Sequence, residues 1–328
     1  MSQAAPALWV ISDGRRGIEN QALGLAEALA RQTPITIKRK IIGSDPSFAA
    51  LPPSVQYKRR SKPVKYGLAA PFPDIAIGCG RQAMTPLRAI KAANPNTFIV
   101  YIQDPRGSYS QFDLIIAPAH DEVSKPNVVS MIGSPNRITD EKLQRAQSEF
   151  ADTLARYSAP RAALLIGGTS KRQLIDTAAR NTHLTTAKKL LTHDFSLLIT
   201  LSRRTDEQTR AAWVEFVAAH KDHVWLYDER ADDAGANPYF AFLAASDIIF
   251  VTQDSTNMLT EAYYTGAPVY RLSTSGKTGK FETLYNALDK LRPQPPLLET
   301  LTNAPQSYSP LNETDRMAKI LWNKYTNR

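Results

Sequence analysis

The sequence predicts an α/β protein built as two Rossmann-like domains, each a parallel sheet flanked by helices, with a cleft between them. Three observations carry this. Short apolar runs alternate with stretches of helical period along the whole chain. The connections are short, and alternation of that kind lays helices over both faces of a parallel sheet. The 328 residues exceed one ordinary core, and the pattern restarts near residue 160, so the division is placed at 1–150 and 151–328.

In the first half, strands are read at 8–12, 35–42, 75–78, 97–102, 114–117 and 128–132, with helices at 20–31 and 81–93. After the first strand, Gly14 and Gly17 turn the chain, and Ala22, Leu25, Ala26 and Leu29 then recur at helical spacing. Segment 45–73 is rich in Pro, Ser and basic residues and reads as an excursion from the core. Residues 139–157 are polar and helical, with Leu143, Phe150 and Leu154 on an apolar stripe; Lys142 three residues after Thr139 means no capping box marks the start. In the second half, strands are read at 162–166, 196–201, 224–227, 248–251 and 269–272, and helices at 184–193, 207–220, 239–245 and 257–264. A last amphipathic helix at 313–325 is expected to pack back across the cleft.

Composition narrows the class. Hydrophobic content of 43% with 22% charged residues fits a globular chain. No apolar run approaches the ~18–20 residues that span a bilayer, and the first residues lack the basic start and apolar core of a secretory signal. Cys79 is the one cysteine, which excludes an internal disulfide and points to a reducing cytoplasm. The net charge is +9, and residues 1–160 hold 20 Lys/Arg against 13 Asp/Glu. Between residues 38 and 65, Lys38, Arg39, Lys40, Lys58, Arg59, Arg60, Lys62 and Lys65 stand against the single acid Asp45. Interleaved with Tyr57, Tyr66 and Phe72, they suit an anionic surface such as the inner face of a membrane, or form a plain solvated loop. No RRM, KH or helix-turn-helix signature accompanies them, and nucleic acid is not expected as a partner.

In parallel α/β sheets, ligands bind beyond the carboxyl ends of the strands. Three such ends in the second half carry polar loops: Gly167-Gly168-Thr169-Ser170-Lys171, Ser202-Arg203-Arg204-Thr205, and Thr252-Gln253-Asp254-Ser255-Thr256-Asn257 with Glu261 one turn on. Glycines with hydroxyls and a lysine offer a backbone nest for phosphate, the arginines add charge-assisted donors, and Glu261 supplies acceptors for a ribose diol. The set suits a nucleoside diphosphate, although GxxxxGK[ST] and the full GxGxxG are absent. In the first half, Asp13, Gly14, Glu19, Asn20 and Gln21 follow the first strand, and Asp104 and His120 follow two others. Asp13, Asp104 and His120 are the candidate general bases, with a structural histidine the alternative at position 120. The chain contains no Asp-x-Asp, HxxxH or HExxH, so no metal is expected on the diphosphate.

The runs 12–29, Gln103-Asp104-Pro105-Arg106, Pro118-Ala119-His120-Asp121, Gly167-Gly168-Thr169-Ser170, Ser202-Arg203-Arg204-Thr205 and 252–258 resemble the mitochondrial-fission ELM-type family, whose bacterial members are described as glycosyltransferases. The resemblance runs from about residue 8 to residue 290. It implies a GT-B-like pair of Rossmann domains with the donor nucleotide on the C-terminal one. Carried over by position, Gly168, Thr169, Ser202, Arg203, Asp254, Ser255, Asn257 and Glu261 would line the donor half. Asp13, Gly14, Glu19, Asn20, Gln21, Asp104 and His120 would line the acceptor half. Ile18 stands where a polar residue is expected and Gln253 where an acid is expected. In plants the family name refers to recruiting fission machinery to mitochondria.

The reading that follows is a metal-independent, inverting glycosyltransferase with no cofactor beyond its nucleoside-diphosphate sugar donor. It would act at or near the cytoplasmic membrane face. The rival reading is an adaptor that keeps the scaffold without turnover.

Overall fold

The computed structural model describes residues 5–43, 47, 51, 55, 62–169, 173–232, 234–294 and 308–328. The chain forms two compact units, one of residues 1–137 with 312–328 and the other of residues 138–311.

The first unit runs β1 (Ala7–Ser12), α1 (Arg16–Gln32), β2 (Thr36–Ile41), β3 (Ile75–Cys79), α2 (Arg81–Ala93), β4 (Phe98–Ile102), β5 (Leu114–Pro118) and β6 (Val128–Met131). Its sheet has the order β2-β1-β3-β4-β5-β6 with every ladder parallel. Alternate residues feed two cores: Leu8 and Val10 pack with Leu25 and Leu29 of α1, while Trp9 and Ile11 pack with Leu87 and Ile90 of α2. Burial on both faces is why β1, β3, β4 and β5 read as unbroken apolar runs, while the edge strand β2, with Lys38, Arg39 and Lys40, does not.

Helix α1 starts a turn earlier than its apolar spacing predicts, with the Ile18 and Glu19 N–H groups both donating to the Arg15 carbonyl. Ile18 is the reason, since it packs on the α1-side core and against Gly80. An apolar residue at this place secures the helix start, and it adds residues 16–19, Glu19 among them, to the helix read at 20–31.

The C-terminal helix, Glu313–Thr326, belongs to this unit. It buries Met317, Ala318 and Leu321 in the α1-side core, and Glu313 and Thr314 accept hydrogen bonds from the backbone N–H groups of Ile132 (2.8 Å) and Asn136 (3.0 Å).

The second unit runs α3 (Asp140–Glu149), α4 (Ala151–Leu154), β7 (Arg161–Ile166), β8 (Gln173–Leu174), α5 (Thr177–Leu191), β9 (Ser196–Leu201), α6 (Glu207–Ala219), β10 (Val224–Asp228), α7 (Tyr239–Ala245), β11 (Ile248–Thr252), α8 (Thr256–Tyr264), β12 (Val269–Leu272), β13 (Ser275–Gly276) and α9 (Phe281–Leu291). Its main sheet is parallel in the order β10-β9-β7-β11-β12. Helix α3 packs on α7, so it falls in this unit, and the division lies at 137/138 instead of the expected 150/151. Thr139 caps α3 by accepting the Lys142 N–H, a cap that needs no reciprocal Glu. Helix α9 and the short antiparallel β8–β13 ladder are absent from the sequence reading.

Each sheet therefore reverses strand order once: between β1 and β3 in the first unit, between β7 and β11 in the second. A crevice opens beyond the carboxyl ends at such a reversal. The loops that follow those strands, with the helices they lead into, carry most of the predicted site residues.

Candidate functional site

In the second unit the loops after β7, β9 and β11 meet. The Gly167 N–H donates to Thr252 Oγ1 (2.7 Å) and the Gly168 N–H to Asp254 Oδ2 (3.0 Å). Thr205 Oγ1 donates to the Gly167 carbonyl (2.5 Å), and the Ser202 N–H donates to the Ile166 carbonyl (2.9 Å). The approach explains both glycines. A Cβ on Gly167 would lie 2.4 Å from Asp254 Oδ1, and one on Gly168 would lie 2.1 Å from the Arg204 carbonyl oxygen. Of the rest of the phosphate-nest run, Thr169 is exposed, while Ser170 and Lys171 lie outside the described residues.

Helix α8 begins at this junction. Ser255, buried at its N-cap, makes no capping hydrogen bond, which leaves the first-turn N–H groups and the positive end of the helix dipole without that acceptor. Asn257 sits in the first turn, partly buried. Asp254 precedes the cap with a fully buried side chain, and its Oδ1 is buried without a hydrogen-bond partner among the described residues. The Gln253 side-chain amide donates to Thr274 Oγ1 (3.1 Å), joining this loop to the one after β12, and its main-chain carbonyl accepts from Tyr285 Oη of α9 (2.7 Å).

The two arginines expected to meet phosphate are both engaged. Arg204 Nη2 donates to Asp254 Oδ2 (2.9 Å), and Arg203 Nε donates to Glu229 Oε2 (3.0 Å). Their side chains remain 49% and 53% exposed. Glu229 is itself partly exposed, so Arg203 is held weakly and can exchange its carboxylate for a phosphate, whereas Arg204 neutralises a carboxylate with no exposed surface and is held firmly.

Glu261, in the second turn of α8, accepts a hydrogen bond from Tyr239 Oη (2.6 Å). Burial pushes its carboxyl up to about 7, against the opposing effect of that hydrogen bond. Near the same strand ends lies His183 of α5, fully buried. Its Nε2 is 2.7 Å from the Ser273 carbonyl, which can only accept, so Nε2 carries the proton. Burial pulls its pKa down and keeps the ring neutral at pH 7.

In the first unit the reversal between β1 and β3 gathers Asp13, Gly14, Gln21, Cys79 and Gly80. Gly14 turns the chain at φ +81° and donates its N–H to Ser12 Oγ (3.0 Å). The Asp13 side chain is only 3% exposed and is held by Arg15 Nε (2.8 Å) and the Arg15 N–H (3.2 Å). Cys79 Sγ donates to Gln21 Oε1 (3.3 Å), and burial first, then Asp13, pushes the thiol up. Glu19 is the carboxylate partner of Arg39 on β2 through both guanidinium branches. That pairing takes Glu19 out of the free acceptors and offsets the charge of Arg39, whose side chain stays 53% exposed. Asn20 is partly buried beside it.

The other two candidate bases lie elsewhere on the sheet. Asp104 follows β4 and shapes its own loop by accepting the Arg106 N–H (2.7 Å) and Tyr109 Oη (2.8 Å). His120 is buried on the 3-10 turn Ala119–Asp121 after β5. β1 and β5 are three strand spacings apart, about 14 Å, so Asp13 and His120 follow strands that are not neighbours.

Of the basic window, Lys38, Lys62 and Lys65 are exposed and Lys40 lies over the Trp9 ring (4.6 Å). Lys58, Arg59 and Arg60 lie outside the described residues. No helix among the described residues is long and apolar enough to cross a membrane.

Not expected from the sequence are Thr252 and Thr205 as binders of the Gly167 backbone, Glu229 as the partner of Arg203, and Tyr239 and His183 near the strand ends. Thr252 and Thr205 had a signal, since both flank the polar loops. The others act across 22 or more residues of chain and have none.

Among solved structures, the UDP-GlcNAc 2-epimerase of Neisseria meningitidis bound to UDP-GlcNAc is 13% identical, with a TM-score of 0.53 over 98% of this chain and 100% of that one. The catalytic domain of starch synthase IV from Arabidopsis thaliana bound to ADP and acarbose is 10% identical, with a TM-score of 0.51 over 99% of both chains. These likenesses show a shared fold. An uncharacterized protein of Rickettsia prowazekii is 25% identical over 96% of this chain and 97% of its own. The mitochondrial fission protein ELM1 of Arabidopsis thaliana is 30% identical over 225 residues, and this chain spans about half (51%) of its length. A model of the family described as Mitochondrial fission ELM1 matches residues 16–325, nearly the whole chain, and the protein belongs to that family.

Proposed function

We propose that the second unit binds a nucleoside-diphosphate sugar and that the protein transfers the sugar to an acceptor hydroxyl without a metal. The observation that carries this is the junction of the β7, β9 and β11 loops at the sheet's reversal point. There the Gly167–Gly168 turn packs on Thr252 and Asp254 beside the uncapped start of α8, with half-exposed Arg204 on Asp254 and Arg203 next to it in the chain. The diphosphate would sit at the α8 N-terminus, drawing Arg203 from Glu229 while Arg204 stays on the buried Asp254, and Glu261 would take the ribose diol. The solved relatives of this fold that hold UDP-GlcNAc and ADP support the ligand class. The first unit would hold the acceptor, with Asp13 or His120 removing its proton. The exposed lysines 38, 62 and 65 would rest on anionic lipid at the cytoplasmic face of a membrane.

Calorimetric titration with UDP-GlcNAc and ADP-glucose tests the donor site. Arg203→Ala and Glu261→Ala should each weaken binding about ten- to a hundredfold, the range for losing a hydrogen bond to a charged group. Absence of binding, or binding indifferent to both changes, rejects the reading. One observation favours a second reading, a non-catalytic adaptor on the same scaffold: both arginines already have acid partners within the unit. Binding of nucleotide sugar with no hydrolysis or transfer to any acceptor would establish that alternative.

A further inference from the structure

We propose that Tyr239 is a positioning residue of the nucleotide site, holding the Glu261 carboxyl for a ligand diol and coupling nucleotide capture to loss of a proton. The inference rests on the donor-site reading above and adds a residue and a regulation to it. Tyr239 opens α7 and is fixed at that end by its N–H, which donates to Asn237 Oδ1 (2.9 Å). Its hydroxyl donates to Glu261 Oε2 at 2.6 Å, which sets the rotation of the carboxyl and leaves Oε1 for another donor. The two side chains lie 22 residues apart, so the contact exists only because α7 and α8 flank β11.

Among the described residues no Lys, Arg or His forms an ion pair with Glu261, and its one hydrogen-bond partner is a neutral phenol. β11, the strand that α8 covers, contributes no titratable side chain, and α8 itself adds only the phenols of Tyr263 and Tyr264. A carboxyl so placed is poised between its two forms near neutrality. Only the ionised form offers both oxygens as acceptors, one to Tyr239 and one to a ribose hydroxyl. Capture of the diol therefore drives off the proton in the part of the population that carries one, and affinity rises with pH through neutrality.

The test is the dissociation constant of UDP-GlcNAc and of ADP-glucose, whose phosphates do not titrate between pH 6 and 9, measured across that range. The wild-type constant should rise about tenfold from pH 8 to pH 6, as expected for one group titrating near 7. Tyr239→Phe removes one donor to the carboxylate, so the break should move to higher pH, with a loss severalfold larger at pH 7 than at pH 9, where only the positioning part remains. Glu261→Gln should flatten the profile. A flat wild-type profile, or a Tyr239→Phe loss of equal size at every pH, overturns the inference while leaving the donor site standing. Failure of both nucleotides to bind at any pH overturns both.

Discussion

At the scale of single residues, the two glycines after β7 are the positions where chemistry and packing coincide. Gly168 tolerates no side chain because the Arg204 carbonyl occupies the place of its Cβ. Gly168→Ala should therefore lower the urea unfolding free energy by about 1–3 kcal/mol, the usual cost of forcing atoms into a filled site. It should also abolish nucleotide binding, because the nest must open to admit the methyl group. An unchanged denaturation midpoint would show that the loops after β7 and β9 do not meet as described. These glycines, Asp254 and Ser255 were legible because local sequence marks a strand end and a helix start. The partners of Arg203, Arg39 and Glu261 were not, since each pair depends on where another element lies. Arg39 reads as a surface cation in its basic window, yet it completes a largely buried Glu19.

At the scale of elements, strands were easier to read than helix limits. A buried parallel strand is an unbroken apolar run, so its ends are visible. Helix starts are set by caps and tertiary contacts: α1 reaches back to Arg16 because Ile18 has a core to enter, and α5 reaches back to Thr177 because Asp176 accepts the Ala179 N–H. The amphipathic helix at 313–325 was evident from its spacing, but only the fold shows that it closes the α1-side core of the first unit. Leu321 is fully buried there. Leu321→Ala should cost about 2–5 kcal/mol in chemical denaturation of that unit, while nucleotide binding by the second unit persists. If the two losses occurred together, the units would not act as separate compact bodies.

At the scale of the molecule, the sign of the charge is the remaining clue. The excess of +9 sits mostly in the first half, and the described part of the basic window presents Lys38, Lys62 and Lys65 to solvent, with Val64 73% exposed between the last two. Vesicles containing anionic lipid should co-sediment with the protein, neutral vesicles should not, and the difference should shrink as salt shortens the Debye length from about 10 Å at 0.1 M. Lys38→Ala, Lys62→Ala and Lys65→Ala combined should reduce the bound fraction severalfold. Equal partition to both lipids would remove the membrane from the proposal.

The sequence by itself determined the two parallel sheets and the strand ends where polar loops gather. Those features depend on apolar periodicity and local turn chemistry, which act over a few residues. Only the tertiary structure decided which polar groups those loops consume on one another. It spent both arginines on acids, tied Glu19 to Arg39, and set Tyr239 against Glu261. Pairings of that kind follow from strand order and helix packing, which bring together side chains separated by 20 or more residues of chain.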